Sequence, residues 1–183
     1  MDLCKFGVVL SLWTGLRIGE ICALRCSNIS LRDKSIQIES TIQRLKNLSP
    51  DAKTKTSVML GPPKSPASVR TIPLTNQTLD LCQKMLPDRE DAFILSGTPH
   101  YMEPRVLQFR FQKYVDDCNL KDVHFHTLRH TFATRCIEAG VDVKSLSEIL
   151  GHANATITIN RYVHCSMDMK RKNLDKLDLL NLE

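Results

Sequence analysis

The sequence predicts an α+β fold that is mainly α-helical and carries one small antiparallel β-sheet, with residues 1–183 forming a single domain. Three observations indicate this fold. Apolar residues recur at helical spacing over most of the chain, whereas alternation with a period of two is confined to the stretch between residues 35 and 74. Gly140 and Gly151 stand where helices are expected to end. A chain of 183 residues is also long enough to bury one hydrophobic core.

Composition and charge describe a globular chain and permit a nucleic-acid partner. Hydrophobic residues make up 42% of the chain and charged residues 25%, with a formal net charge of +5. A basic surface releases counterions when it binds nucleic acid, but many proteins of this charge bind none, so charge alone decides nothing. No apolar run approaches the roughly 20 residues that span a bilayer, and no signal peptide is visible. We therefore expect no membrane partner and a cytoplasmic location.

The seven cysteines show no disulfide pattern, which favours a reducing compartment. Cys22 and Cys26 are four residues apart and could contact one metal from one helix face. A second pair at ligand spacing is missing from the sequence. We expect neither a metal nor another cofactor.

The N-terminal residues predict two helices. Residues 3–12 form an apolar run without an N-cap in front of it, and Thr14 is the predicted N-cap of the second helix. At the start of that helix Arg17 would ordinarily be solvated. Glu20 would be a first-turn acid, favoured by the helix dipole.

The predicted sheet is formed by three strands at residues 35–42, 56–60 and 69–74, and a proline-rich turn at residues 61–66 separates the last two. Lys64 lies in that turn, where a lysine is usually just solvated. Lys53 and Lys55 lie in a polar stretch before the second strand.

Two amphipathic helices are predicted in the middle of the chain. The first covers residues 76–86, and the second begins at Pro104, a residue suited to the first helical position. Its predicted apolar stripe includes Tyr114 and Cys118, so Tyr114 is expected in the core. Tyr101 is expected in a loop.

The most informative stretch runs from His124 to His164 and predicts three short helices, the last two capped by Asp142 and Asn154. On the first helix three basic side chains stand three and four residues apart, and two more polar groups follow on the way to the third helix. The five residues are His126, Arg129, His130, His152 and Tyr162.

This set of side chains predicts a phosphate ligand. Arginine presents a fixed fork of donors that matches phosphate oxygens, and histidine donates hydrogen bonds or moves protons near neutral pH. Tyrosine can act as a covalent nucleophile, but its free pKa of about 10 means that it needs positive, donor-rich surroundings. Any one of these residues, taken alone, could equally be a satisfied structural side chain.

Several motifs resemble those of the tyrosine recombinase, or phage integrase, family. HTLR at 126–129, LGH at 150–152 and RYVH at 161–164 resemble its HxxR box, its later histidine and its nucleophilic tyrosine. TGLRIGE at 14–20 resembles the first arginine box, and PPKSPASVRTIPL at 62–74 resembles the β-hairpin segment that carries a catalytic lysine.

The resemblance implies the tyrosine recombinase catalytic fold and a set of roles for named residues. Tyr162 would attack a DNA phosphodiester and form a 3′-phosphotyrosyl link. Arg17 and Arg129 would clamp the phosphate, and His152 would donate a third contact to it. His126 would act as acid, base or orienting donor. Lys64, for which Lys53 or Lys55 could substitute, would be the general acid for the leaving oxygen. Glu20 and His130 would support them.

The resemblance also implies the context in which the chain works. It would be the C-terminal fragment of a longer recombinase whose N-terminal core-binding domain is absent, and it would serve the integration or excision of a mobile element. Residues 167–183 would form a helical tail that docks on a neighbouring protomer or folds back on its own core. Expected partners are double-stranded DNA, other protomers in a tetrameric synapse of the full-length protein, and accessory DNA-bending or excision factors. On DNA the protein would lie with the bacterial nucleoid.

Three other functions compete with recombination. A non-catalytic DNA-binding module is suggested by the helix, turn and helix over residues 127–150, but it would need neither Tyr162 nor Arg17. A type IB topoisomerase shares the chemistry and only relaxes supercoils. A metallohydrolase built on the histidines fits least well.

Overall fold

The computed structural model describes residues 1–47 and 54–162, together with Arg171, Leu174 and Asp175. Its helices are α1 Leu3–Thr14, α2 Ile18–Ala23, α3 Asn76–Met85, α4 Pro104–Asp117, α5 Phe125–Glu138, α6 Val143–Leu150 and α7 Ala155–Tyr162. Its strands are β1 Ile29–Ser30, β2 Ser35–Ile38, β3 Thr41–Lys46, β4 Thr56–Gly61 and β5 Arg70–Pro73. The predicted α+β fold, mainly helical with antiparallel strands, is confirmed.

Helix α1 lies at the centre of the main hydrophobic core. It contacts α2, α3, α4 and α5. Phe6 and Leu10 are fully buried, and a helix covered on several faces is expected to be apolar around most of its circumference. Because α2 and α5 both pack on α1, the residues at the ends of those helices are brought together.

The N-terminal helices differ from the prediction at their caps. Asp2 caps α1, since its side chain accepts a hydrogen bond from the backbone N–H of Lys5 at 2.9 Å. Thr14 is the last residue of α1 and donates its hydroxyl to the carbonyl of Leu10, so the prediction that it caps α2 is wrong. Gly15, with φ of 69°, ends α1, and Arg17 takes the N-cap position of α2.

The strands form two small sheets and not the single predicted one. One has the order β1-β2-β5 and the other pairs β3 with β4, all antiparallel. The strand predicted over residues 35–42 breaks after Ile38, and its two parts enter different sheets. Strands β4 and β5 do not pair with each other in the described residues. Proline has no N–H and a fixed φ, and therefore does not continue a strand in the middle of a sheet. The proline-rich turn carries the chain from one sheet to the other.

The middle helices follow the prediction closely. Pro104 occupies the first turn of α4, whose buried residues are Leu107, Phe111 and Val115. Tyr114 is only half-buried, and its hydroxyl donates to the carboxylate of Asp2 at 3.2 Å. Cys118 is exposed because α4 ends at Asp117, which corrects its expected place in the apolar stripe.

The C-terminal helices have the predicted boundaries and caps. Gly140 and Gly151 have φ of 80° and 65° and follow the ends of α5 and α6. Asp142 accepts from Ser145 N–H at 2.9 Å, and Asn154 accepts from Ile157 N–H at 3.2 Å. The tail predicted over 167–183 lies outside the described residues except at three positions. No helix in the described part of the chain is long and apolar enough to cross a bilayer.

Candidate active site

The guanidinium of Arg129 is seated on the main chain at the centre of the site. Arg129 projects from α5 and is 2% exposed. It donates to the carbonyl oxygens of Gly15 at 2.8 Å and Leu150 at 2.6 Å. Burial, together with the charge of Arg17, lowers the pKa of Arg129 to about 9, so the group stays charged at neutral pH. A buried positive charge is thus held between the end of α1 and the end of α6.

Arg17 reaches the same turn from the start of α2. Its side chain donates to the carbonyl oxygen of Gly151 at 3.1 Å and to Glu20 Oε1 at 2.8 Å. Since the carbonyls of Leu150 and Gly151 are consecutive, both guanidiniums meet at one turn. The side chain of Arg17 remains 34% exposed and can therefore meet a ligand from solvent.

Glu20 is a buried carboxylate held by two arginines. It is 2% exposed and accepts two hydrogen bonds from Arg70, each at 2.9 Å, besides the bond from Arg17. Burial raises the pKa of Glu20, but the hydrogen bonds and charges of Arg70 and Arg17 outweigh it and lower the pKa overall. Glu20 is therefore ionised and fixes the orientation of Arg17, which goes beyond the ordinary first-turn acid expected from sequence alone.

Arg70 is a residue of the site that the sequence analysis missed. Its side chain also donates to the carbonyls of Ile149 at 2.5 Å and Ser68 at 3.0 Å. It thereby joins β5, α2 and the end of α6. The signal was present in the strand pattern, because Arg70 alternates with the buried Ile72 and Leu74 and so falls on an inward-facing position.

His152 follows the turn at Gly151 and has a partner on each ring nitrogen. Its Nε2 lies 3.0 Å from Nη2 of Arg129, and its Nδ1 lies 2.8 Å from the hydroxyl of Thr158. Partial burial, followed by the charges of Arg129 and Arg17, lowers the pKa of His152 to about 4. The imidazole is therefore neutral at pH 7. Thr158 was also missed by the sequence analysis, although it stands one helical turn before Tyr162.

Tyr162 ends α7 beside the histidines. It is 7% exposed, and its hydroxyl has no hydrogen-bond partner among the described residues. Its ring is nearly parallel to that of His152, with the centroids 6.5 Å apart, and lies 5.5 Å from the ring of His130. His126 stands edge-on to His130 at 4.6 Å. Burial, followed by His130 for His126 and by the charges of Arg129 and Arg161 for both, lowers the pKa of His126 and His130, which keeps the two rings neutral at pH 7.

Gly151 is required by the close packing of the turn. A Cβ atom there would lie 3.0 Å from the carbonyl oxygen of Ala67 and 3.1 Å from Cδ of Arg70, and φ is 65°. Another side chain would be strained in this conformation and would push the turn away from β5. The glycine therefore lets the turn that carries His152 and the carbonyls of Leu150 and Gly151 pack closely against Ala67 and Arg70.

The structure does not bring Lys64 into this cluster. Lys64 is exposed in the segment between β4 and the short 3₁₀ turn Pro66–Ser68, and its side chain makes no hydrogen bond or ion pair to the described residues. Lys55 is likewise exposed, and Lys53 lies outside the described residues. The remaining candidates do converge: Arg17, Glu20, His126, Arg129, His130, His152 and Tyr162.

The cluster combines two charged guanidiniums, neutral imidazoles and one buried phenol. Such a set binds an anion with spare donors and can act on it with an oxygen nucleophile, which suits a phosphate ester. Within the described ranges, no group of three or more histidines, cysteines or acids stands close enough to hold a metal ion. The arrangement fits a class of enzyme in which a tyrosine oxygen attacks a phosphodiester.

Comparison with known proteins identifies the family. Residues 4–169 match the model of the phage integrase family, and the chain belongs to that family. The tyrosine recombinase XerC-like protein of Caldanaerobacter subterraneus subsp. tengcongensis is 25% identical over 93% of this chain and 48% of its own length. The transposase from transposon Tn916 of Enterococcus faecalis is 27% identical over 92% of this chain and 45% of its own length. The chain thus spans about half the length of these curated relatives.

Solved structures share the fold. The Tn1549 transposon integrase in complex with transposon right end DNA has a TM-score of 0.74 at 27% identity, covering 96% of this chain and 59% of that one. The XerA recombinase has a TM-score of 0.61 at 22% identity, covering 96% of this chain and 58% of the other. The predicted family and fold are both confirmed.

Proposed function

We propose that this chain is the catalytic domain of a site-specific DNA recombinase that cleaves and rejoins DNA through a 3′-phosphotyrosyl intermediate, for the integration or excision of a mobile genetic element. The observation that carries the proposal is the meeting of Arg17 and Arg129 at consecutive carbonyls of one turn, next to the buried phenol of Tyr162. Family membership and the DNA complex of the Tn1549 integrase support it.

The arginines act on charge that grows during the reaction. When the hydroxyl of Tyr162 attacks the phosphorus of a phosphodiester, the deoxyribose 5′-oxygen leaves and negative charge builds on the non-bridging oxygens. Arg17 and Arg129 hold these oxygens, and His152 donates a third contact. The two guanidiniums are already fixed in place and need no reorganisation, and removal of one such donor costs roughly 10²- to 10³-fold in rate at comparable oxyanion sites.

Proton transfers fall to the histidines and Lys64. His126 serves as acid, base or orienting donor, and His130, which lies against both His126 and Tyr162, supports it. Lys64 protonates the leaving 5′-oxygen. Because Lys64 is exposed in this structure, the proposal requires that its segment close on bound DNA.

The covalent link conserves the energy of the phosphodiester, so a second 5′-hydroxyl can reseal the strand without ATP or a cofactor. In the proposed setting this chain is the C-terminal part of a longer recombinase that acts on double-stranded DNA, with other protomers in a tetrameric synapse and with accessory bending or excision factors. The location is the bacterial cytoplasm, on the nucleoid when DNA is bound.

A nicked suicide substrate tests the proposed chemistry. Duplexes taken from the DNA that flanks the gene of this chain are incubated with the protein, and adducts that resist denaturant are counted on gels. We expect an adduct with the wild-type protein, none with Tyr162→Phe and an undiminished amount with Tyr101→Phe, an exposed loop tyrosine. A wild-type protein without an adduct, or an adduct that persists in Tyr162→Phe, would overturn the proposal and favour the non-catalytic DNA-binding module.

Strand exchange separates recombination from topoisomerase activity. The full-length parent protein is given two duplex sites that differ in their flanking lengths. Recombinant duplexes of exchanged length are expected, whereas relaxation of supercoiled DNA without exchange would contradict the proposed function.

A further inference from the structure

The protonation state of His152 can be read from its two partners. A guanidinium has only donors, so Nε2 of His152, 3.0 Å from Nη2 of Arg129, accepts a hydrogen bond and carries no proton. The ring is neutral, so its single proton is on Nδ1. Nδ1 then donates to the hydroxyl oxygen of Thr158 at 2.8 Å.

This tautomer is the wrong one for the role given to His152 above. The nitrogen that faces Arg129 is the one that would meet a phosphate held by that arginine, and it has no proton to donate. If a phosphate oxygen takes the place of Nε2 as the acceptor for Arg129, the ring can contribute a hydrogen bond only after a proton has moved to Nε2. Some neighbouring group must then serve Nδ1 as a donor.

We propose that Thr158 is a positioning residue that lets His152 exchange tautomers: its hydroxyl accepts from Nδ1–H in the DNA-free protein and donates to bare Nδ1 when Nε2–H faces the phosphate. The inference rests on the proposed function. A hydroxyl is suited to this because it is both a donor and an acceptor and can rotate between the two states. An amide would have to flip to serve both tautomers of the ring, and a charged side chain only donates or only accepts, so it could serve one tautomer alone.

The surroundings of Thr158 make the exchange local. The residue is fully buried in α7, and His152 is the described partner of its hydroxyl. The exchange itself conserves protons, because Nδ1 gives one proton to water and Nε2 takes one proton from water, and the ring is neutral before and after. Thr158 and Tyr162 are four residues apart on one helix, so α7 both presents the nucleophile and sets the donor state of His152.

Nitrogen NMR of histidine-labelled protein tests the first state without any activity. The His152 resonances are assigned by their loss in His152→Gln. We expect a protonated Nδ1 and a bare Nε2 in the DNA-free wild type. A proton on Nε2, or a doubly protonated ring at pH 7, would overturn the inference.

The second state is tested in the complex of Tyr162→Phe with the flanking duplex, which cannot be cleaved. The proton is expected on Nε2, with Nδ1 bare. A ring that keeps its DNA-free tautomer in the complex, or that becomes an imidazolium, contradicts the proposed exchange.

Variants of Thr158 separate positioning from packing. Thr158→Val keeps the shape and removes the hydroxyl, and we expect adduct formation to slow roughly 10²-fold at unchanged DNA affinity, the lower end of the cost of losing one transition-state donor. Thr158→Ser restores the rate, and Thr156→Val, at an exposed position of the same helix, leaves it unchanged. A wild-type rate in Thr158→Val overturns the inference. Absence of any adduct in the wild type would overturn the proposed function instead, while the DNA-free spectra still decide the resting tautomer.

Discussion

Arg129 and Arg17, the two arginines that meet at the Leu150–Gly151 turn, differ in how far their function can be separated from folding. Arg129 is fully enclosed and holds together the ends of α1 and α6, so its loss would disturb the structure as well as the chemistry. Arg17 is one-third exposed and makes one long-range hydrogen bond, to Gly151. Its partner Glu20 keeps the two bonds from Arg70 when Arg17 is removed. Arg17 is therefore the better probe of catalysis.

Arg17→Gln is expected to slow adduct formation roughly 10²- to 10³-fold, because one fixed donor to the growing phosphate charge is lost. The urea midpoint of unfolding should change little. Single-turnover cleavage of the suicide duplex measures the rate, with Arg44→Gln as the control, since Arg44 pairs at the surface with Glu103. A rate within a few-fold of the wild type would remove Arg17 from the proposed mechanism.

Residue spacing predicted most of the side chains that cluster in the candidate site, and the reason is local geometry. His126 and Arg129 stand three apart on one helix, and a glycine turn places His152, so short-range rules suffice. Arg70 and Thr158 were missed because their importance depends on partners distant in sequence or on the rotation of a helix. Glu20 and Arg70 are 50 residues apart and meet only after β5 has paired with β2.

At the scale of elements, the Glu20–Arg70 pair fastens the sheet to the helices. Both side chains are buried, at 2% and 6% exposure. Glu20 also accepts from the backbone N–H of Arg17, and Arg70 also donates to the carbonyls of Ile149 and Ser68. Such a pair is weak grounds for stability as a whole, but removing one partner leaves an uncompensated buried charge. The pair therefore fixes the relative placement of β5, α2 and α6.

Arg70→Met is expected to lower the free energy of unfolding by about 3–5 kcal/mol, as for other broken buried pairs. Arg17 still faces Glu20, which favours the lower end of that range. Urea unfolding followed by circular dichroism measures the loss. The double variant with Glu20→Gln should recover part of it, because the buried charge is gone.

The exposed pair Arg44–Glu103 supplies the matched comparison, and Arg44→Met should leave the unfolding midpoint nearly unchanged. Equal effects of Arg70→Met and Arg44→Met would mean that the buried pair contributes no more than a surface one.

The strands were harder to predict than the helices. Alternation over residues 35–42 is continuous in sequence, but it cannot show that the chain turns after Ile38 and enters a second sheet. Strand partners are set by long-range packing, whereas helix ends are marked locally by Gly151 and by caps such as Asp142. The position of the proline-rich turn was predicted correctly, but the strands on either side of it, β4 and β5, belong to different sheets.

For the whole molecule, the positive charges and neutral imidazoles gathered in the site make the stability of the folded state depend on pH. The folded-state pKa of His152 is about 4 against an ordinary 6.5, and those of His126 and His130 are also lowered. Between these values the unfolded chain binds more protons than the folded one, so stability rises with pH in this window. The folded state should therefore lose stability as the pH falls from about 6.5 towards 4.

The melting temperature is expected to decrease across this window, with the steepest contribution below neutral pH coming from the histidines. Scanning calorimetry from pH 7 to pH 4 measures it, and His152→Gln should reduce the slope. Glu20, whose pKa is lowered, adds its own loss only at the acid end, where carboxylates take up protons. A melting temperature that is flat between pH 6.5 and pH 5 would contradict the lowered pKa values.

Fold class and family followed from the sequence because helix periodicity and short motifs extend over nearly the whole chain. The core residues of α4 were also predictable, including Leu107 and Phe111. The close packing of Gly151 against Ala67 and Arg70 was not, since it depends on how the sheet and the final helices meet.

Arg17 and Arg129 both donate hydrogen bonds to backbone carbonyl oxygens, and this affects which substitutions the turn tolerates. Gly15, Leu150 and Gly151 offer Arg129 and Arg17 only groups that every amino acid possesses. These contacts persist when a residue of the turn is replaced, provided that the replacement leaves the main chain in place, which the left-handed Gly15 and Gly151 require. For these carbonyl contacts the path of the backbone matters more than the identity of the residue that supplies the oxygen.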